Sequence, residues 1–277
     1  MADELETAVA RHYGTAELKE RILAGIAAAG LDLERLQAAD LAPVDEFHTG
    51  GRLETEHVLA KIRIGRDDRV LDVGCGIGGT ARYLAAATGC RVTGIDLTPE
   101  YIEIAKLLAE KTGFGKRTEY RTASALDMPF DDATFDAAIT FHVAMNIKDR
   151  LALYREIARV VRPGAVLCIY DVLRGARDGL TFPVPWAETD AMSHLATADE
   201  MRALLAEAGF EVSDVEDRTN FATEFFRKRL AATGAPPPLG LHLLTGANSK
   251  EKFHNYLHGL ESGAIAPTVI VAERKQN

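Results

Sequence analysis

Cysteine is scarce in this chain: Cys75, Cys90 and Cys168 are the only three in 277 residues. Three are too few for a disulfide framework, and none stands at CxxC spacing, so no metal site is expected. Each falls in or beside a candidate core strand, as small buried hydrophobes of a reduced compartment do. Long apolar runs are missing as well, and the acidic start Met1-Ala2-Asp3-Glu4-Leu5-Glu6 lacks the apolar segment of a secretion signal. The expectation is a cytoplasmic protein with no membrane contact. Basic residues are in deficit: 32 Lys and Arg against 41 Asp and Glu give a net charge of -9. A broad nucleic-acid surface needs clustered cations, so nucleic acid is not an expected partner. Internal repeats and low-complexity tracts are also lacking. What is present is 47% hydrophobic residues, enough for a sizeable core in one large or two small domains.

The densest signal is the run Val70-Leu71-Asp72-Val73-Gly74-Cys75-Gly76-Ile77-Gly78-Gly79-Thr80. Val70, Leu71 and Val73 read as a short buried strand. The glycines allow a turn too tight for side chains, and Thr80 to Ala85 resumes as helix. Such a strand, turn and helix cradle a ligand. Gly74, Gly76 and Gly79 satisfy G-x-G-x-x-G, and Asp96 follows about twenty residues later, so a dinucleotide site and an NAD-dependent oxidoreductase are one reading. Asp72 favours another. Beside a pyrophosphate this carboxylate would be repelled, whereas beside an ammonium it forms a charge-assisted hydrogen bond. S-adenosylmethionine (SAM) carries that ammonium and no phosphate. Asp96 ends a second candidate strand, where its oxygens can accept from both ribose hydroxyls, with Leu97 against the adenine.

The rest of the chain alternates in the same manner. Leu5 to Ala29 has helical periodicity broken at Gly14, and Gly30 closes it. A Phe47-His48-Thr49-Gly50-Gly51 cluster leads into a helix from about Glu54 to Ile62. It is either a packed loop or a contact with the methionine end of the cofactor. Pro99 opens a helix to about Lys111, and strands follow at Thr118 to Arg121, Phe135 to Phe141, Ala165 to Tyr170 and Phe210 to Val215. Helices are expected at Asp149 to Val161, ended by Arg162-Pro163-Gly164, and at Thr197 to Ala208. Leu173 to Leu195 has little periodicity and reads as an ordered insertion or lid. Asn220 to Leu260 is helical again, broken at Pro236-Pro237-Pro238, and Thr268 to Ala272 is a last strand.

Taken together, the stretch from Arg69 to Val172 resembles the class I SAM-dependent methyltransferases. The segments Phe141 to Ile147, Pro183 to Trp186 and Leu239 to His242 are similar to a bacterial small-molecule branch. That branch includes the sarcosine/dimethylglycine and phosphoethanolamine N-methyltransferases and, more distantly, quinone C-methyltransferases. The resemblance implies an α/β fold: a doubly wound seven-stranded sheet, mostly parallel with an antiparallel last strand, plus helical N-terminal and cap elements. It divides the chain into a helical lid over 1–65, a SAM-binding core over 66–218, a substrate cap over 219–265 and a last strand with tail over 266–277. It places the loop Ser124-Ala125-Leu126 along the adenine. Many members have an acidic residue where this chain has Ser124, so either its hydroxyl or the backbone at Ala125 and Leu126 would make that contact.

Methyl transfer from a sulfonium is an in-line displacement, which needs positioning and exclusion of water more than a metal or a covalent intermediate. His142, after the fourth strand, is the candidate base and a cofactor neighbour, the alternative being a structural histidine. Tyr13 could lie over the sulfonium or simply pack. His48, Asn146, Asp171 and Trp186 are candidates for the acceptor side: Trp186 as a wall, Asp171 as partner to a cationic amine or as a strand cap. An amine nitrogen of a small metabolite is the leading acceptor and a small thiol or sulfide the runner-up. Arg174, Arg177 and Arg227 are the arginines nearest the proposed lid and cap that could clamp an acceptor carboxylate. Homo-oligomerisation is left open.

Overall fold

The computed structural model describes residues 17–234, 237–246 and 248–276. The expected first helical segment and Tyr13 lie outside the described residues. Seven strands form: β1 (Arg69–Val73), β2 (Arg91–Asp96), β3 (Thr118–Thr122), β4 (Phe135–Phe141), β5 (Val161–Arg174), β6 (Phe210–Asp217) and β7 (Ile265–Arg274). They make one sheet in the order β3-β2-β1-β4-β5-β7-β6. Strands β1 to β5 pair in parallel, and β7 runs antiparallel to both β5 and β6. Chain direction through the sheet reverses between β1 and β4. The carboxyl ends of those two strands therefore flank the crevice in which ligands of open α/β sheets bind.

Helices cover both faces: α1 (Leu18–Ala28), α2 (Gly51–Leu59), α3 (Gly79–Thr88), α4 (Pro99–Lys111), α5 (Arg150–Val160), α6 (Ala198–Glu207), α7 (Thr219–Ala231) and α8 (Ser249–Ser262). The two-residue period of the strands sorts their side chains between two cores. Leu71, Val73 and Ala138 face Leu153 and Ile157 of α5 and Met201 and Leu205 of α6. Val70, Ala137 and Ile139 face Val58 of α2, Leu84 of α3 and Ile102 of α4. Leu153 and Ile157 are fully buried. Truncating either to Ala costs about 2–5 kcal/mol. Helix α4 carries a second apolar stripe, Tyr101, Ile104 and Leu108, toward a third cluster that holds α1, Trp186, Phe226, Phe253 and Tyr256. That third cluster lies beyond the carboxyl edge of the sheet and sets the depth of the site.

Three boundaries differ from expectation. Strand β5 starts at Val161, directly after α5, because Val161 already pairs with Phe135 across a bulge, while Gly164 takes the left-handed turn at φ +79°. At its other end β5 runs on to Arg174, since β7 begins at Ile265 and offers partners that far. Asp171 is thus an interior strand residue opposite Thr268, not the end of the strand. Helix α2 begins at Gly51, three residues early, because Gly50 at φ +89° turns the chain into it. The lid segment is ordered around a short 3-10 turn at Asp190–Met192 and a bridge between Val184 and Ala187.

Candidate active site

A cavity of about 1380 Å³ opens over the carboxyl ends of β1, β2 and β4. This exceeds the roughly 300–1,000 Å³ typical of a site for one drug-sized ligand. Its floor is the glycine turn. Gly74 (φ +75°) must lack a side chain, because a Cβ there would lie 2.3 Å from Val143. A Cβ on Gly76 (φ +53°) would meet nothing within 4 Å. One glycine lets two loops close on each other, and the other leaves bare backbone toward open space.

The turn is held by its neighbour strand. The N–H groups of Gly74 and Cys75 donate to the Ile95 carbonyl at 2.8 and 2.9 Å. Asp96 accepts from the Gly76 N–H (2.9 Å) through Oδ2 and from the Thr98 N–H (2.9 Å) through Oδ1. Burial raises its pKa, while those two N–H groups hold it down. Asp72 is 2% exposed, and its Oδ2 has no hydrogen-bond partner among the described residues. Burial, then the charges of Asp96 and Glu46, push its carboxyl up to about 8. A buried carboxylate left without a partner is costly, and this one belongs to a residue that lines the cavity.

The 42–51 segment is pinned against the turn. Arg82 of α3, fully buried, donates to the Ile77 carbonyl (2.8 Å) and to Asp45 Oδ2 (2.7 Å). Gly79 permits the contact, since a Cβ there would sit 2.1 Å from the Asp45 carbonyl oxygen. Beyond Asp45 stands a polar cluster that sequence reasoning found only in part. The buried His48 ring meets Glu46 Oε2 through Nε2 at 3.0 Å and the Thr49 carbonyl through Nδ1 at 3.4 Å. Arg52 (2.5 Å) and Thr55 (2.6 Å) also donate to Glu46. Burial alone would raise the Glu46 pKa. The hydrogen bond and charge of His48, with Arg52 and Thr55, outweigh it and hold the carboxyl at about 2. A carboxylate two residues before a histidine was the signal that could have revealed Glu46.

Of the other expected residues, Leu97, Ala125, Leu126, His142, Asn146 and Trp186 line the cavity with Asp72, Gly74, Gly76, Asp96 and His48. Ser124 does not line it: its Oγ accepts from the Leu126 N–H at 3.0 Å. Asp171 does not line it either. Its Oδ1 accepts from Val172 N–H (3.0 Å), and burial, opposed by the Arg150 charge, raises its pKa to about 6. Tyr13 lies outside the described residues.

Residues 71–169 match the family model described as a methyltransferase domain. Over 190 residues the chain is 32% identical to the methyltransferase GfsG of Streptomyces halstedii, covering 65% of this chain and 67% of that one. It is 32% identical over 177 residues to the O-methyltransferase rstn1 of Aspergillus nomiae, covering 62% of this chain and 78% of the relative. The fold superposes on geranyl diphosphate C-methyltransferase from Streptomyces coelicolor A3(2), in complex with Mg2+, geranyl-S-thiolodiphosphate and S-adenosyl-L-homocysteine. That match has a TM-score of 0.73 and 17% identity, over 98% of each chain. The chain belongs to the class I SAM-dependent methyltransferases. An NAD-dependent oxidoreductase is thereby set aside, in agreement with the carboxylate of Asp72 in the place a pyrophosphate would need.

The rest of the cavity wall of this methyltransferase is built from elements far apart in sequence. His142 adopts φ +55°, its N–H donates to the Tyr170 carbonyl (2.7 Å), and its ring packs 4.9 Å from the Tyr170 ring and 6.0 Å from that of His48. Its Nε2 has no partner among the described residues, and burial, with the charge of His48, lowers its pKa far enough to keep it neutral. Asn146 donates to the carbonyls of Trp186 (2.8 Å) and Met192 (3.3 Å), so its amide fastens the lid segment. Trp186 donates to Ser193 (3.0 Å) and stands edge-on to Tyr256 at 5.9 Å. Phe225, Phe226, Leu241, Leu244, Phe253 and Tyr256 complete an apolar wall. The spacing of Phe225 and Phe226 on α7 and of Phe253 and Tyr256 on α8 looks like ordinary core, which is why the sequence did not flag them. No helix among the described residues is long and apolar enough to cross a membrane.

Proposed function

We propose that this enzyme methylates a hydroxyl oxygen of an apolar small molecule held between the 173–195 segment and the helical cap. The observation that carries the reading is the apolar wall continuous with the cofactor turn in one cavity, lined also by His142, whose Nε2 has no hydrogen-bond partner among the described residues. In the cofactor half, Asp72 receives the ammonium of SAM and Asp96 the ribose hydroxyls. Leu97, Ala125 and Leu126 bound the adenine, and Gly74 and Gly76 let the backbone approach. Bound SAM supplies an activated methyl group on a sulfonium. What the chain must do is hold the acceptor in line at near-attack distance and keep water out.

His142 fits the second task and part of the first. A neutral imidazole nitrogen can accept a hydrogen bond from the acceptor O–H and fix its lone pair toward the methyl group. Both nitrogens of the His48 ring are already engaged, Nε2 with Glu46 and the Thr55 hydroxyl and Nδ1 with the Thr49 carbonyl, so the ring has no free position for the acceptor O–H. It acts instead as a rigid polar floor beneath the acceptor. Of the described residues, those of 17–65 serve as the lid over the cofactor and those of 219–265 as the cap over the acceptor. The expected amine acceptor finds less support. Asp171 does not line the cavity, and of the cavity-lining carboxylates Glu46 and Asp149 are engaged by Arg52 and by the Ala152 N–H, as is Oδ2 of Asp45 by Arg82.

Apolar phenols, amines and thiols of matched size, offered with SAM, test the reading. Formation of S-adenosylhomocysteine with phenols in preference to amines is expected. Turnover confined to amines would reverse it.

A further inference from the structure

Among the arginines near the cap, Arg174 and Arg227 are neutralised by surface partners. Arg174 pairs with Glu200 at 2.8 Å and Arg227 with Glu261 at 2.7 Å, and neither lines the cavity. Arg229, one half-turn along α7 from Arg227, is placed differently. It lines the cavity, and its guanidinium carbon lies 5.6 Å from the centre of the Phe253 ring. Among the described residues it has no ion-pair or hydrogen-bond partner. Its side chain is exposed at the cavity rim, and such burial as it has lowers its pKa with no nearby carboxylate to oppose the effect. His242 at the same corner is lowered by burial and by the charges of Arg229 and Arg21. Arg21 in turn donates to the Leu243 carbonyl. The corner is a local positive field in a chain whose net charge is -9.

Resting on the methyltransferase reading above, we propose that Arg229 is the anchor for an anionic head group of the acceptor, a carboxylate or a phosphate. The apolar body of that molecule then lies along Phe225, Phe226 and Phe253, with its reacting atom at His142. A guanidinium offers planar, paired donors that match either head group, and it stays charged at any working pH. The apolar wall beside it weakens the competition from water. An uncharged acceptor would leave this cation to water at the cavity rim, whereas an anionic one would pair with it and fix which end of the molecule enters first. Arg229 is therefore a specificity residue for the acceptor and takes no part in holding SAM.

The test uses three ten-carbon probes on the full chain loaded with S-adenosylhomocysteine: decanoate, decyl phosphate and decan-1-ol. Affinity is read by titration calorimetry on the wild type, Arg229→Ala and Arg229→Lys. At least one anion should bind about tenfold or more tightly than the alcohol to the wild type. Which anion does so identifies the head group. Arg229→Ala should erase the difference by weakening the anion alone, and Arg229→Lys should retain part of it. Equal binding of anions and alcohol, no binding of either anion, or an undiminished preference in Arg229→Ala would each overturn the proposal. S-adenosylhomocysteine affinity, measured first in each protein, separates the two readings. Its absence in the wild type defeats the methyltransferase reading itself, and its persistence in the variants shows that they fold.

Discussion

The two halves of the cavity are built on opposite principles. The cofactor half is made by one short stretch and the strand beside it: Asp72, the glycine turn and Asp96 are fixed by backbone hydrogen bonds within a single β-α-β unit. The half proposed for the acceptor is assembled from β4, the 173–195 segment, α7 and α8, whose contacts are mainly apolar and span up to about half of the chain. A cofactor common to a whole family needs one geometry, and local chain can encode it. An acceptor varies from member to member, and its pocket is made where side chains can change without breaking a hydrogen-bond ladder. Substitutions in the first half should therefore remove binding of the cofactor, and those in the second should alter turnover or choice of acceptor.

The largest effect is expected from Gly74→Ala, which forces a methyl group to within 2.3 Å of Val143 and strains a left-handed residue. A cost of about 3 kcal/mol would weaken SAM by roughly 100-fold. Calorimetric titration checks this, and an unchanged affinity would show that the two loops yield freely.

Asp72→Asn comes next, and pH gives it a signature. An acid whose folded pKa is raised keeps its proton in the free enzyme, so stability without cofactor falls as pH rises from the ordinary carboxylate range through about 8. In Asp72→Asn that decline should disappear from melting temperatures measured across the same window. SAM, which needs the carboxylate ionised, should bind the wild type less tightly as pH falls below about 8, by at most about tenfold per pH unit. The variant should lose that dependence. Parallel melting profiles for the two proteins would count against Asp72 as the group responsible.

His142→Ala sharpens the boundary between the halves. Turnover on a phenolic acceptor should fall by roughly 100-fold while SAM affinity changes little. Steady-state kinetics and calorimetry on the same preparation show whether the two effects separate. Equal losses in both would move His142 into the cofactor half. The smallest effects belong to Arg174→Ala and Arg227→Ala, whose exposed ion pairs are worth about 1 kcal/mol or less. Neither should alter turnover, and a large rise in KM for the acceptor would place a clamp where the structure has none.

Legibility in the sequence followed the same division. The strands, the glycine cradle and the places of Asp72 and Asp96 on the cavity wall could be read because each depends on local pattern: the two-residue period, the glycine spacing and a carboxylate at or near a strand's end. Asp171 was misjudged because the length of β5 is decided by β7, nearly a hundred residues later, which carries the strand past Asp171 to Arg174. Ser124 was half-read: its hydroxyl serves the turn of its own loop, an ordinary use for serine that spacing cannot distinguish from ligand contact. Arg229 was passed over in favour of Arg227, its near neighbour on the same helix. Only the packing of α7 against α8 decides which arginine meets Glu261 and which meets Phe253.

The central claim is that this turn holds SAM by two carboxylates, and titration of SAM into the wild type and Asp96→Ala tests it most directly. The wild type should bind one SAM per chain, and Asp96→Ala should lose roughly 100-fold in affinity, as expected when charge-assisted acceptors for a ribose are removed. Equal binding by the two proteins, or no binding by the wild type, would contradict the account.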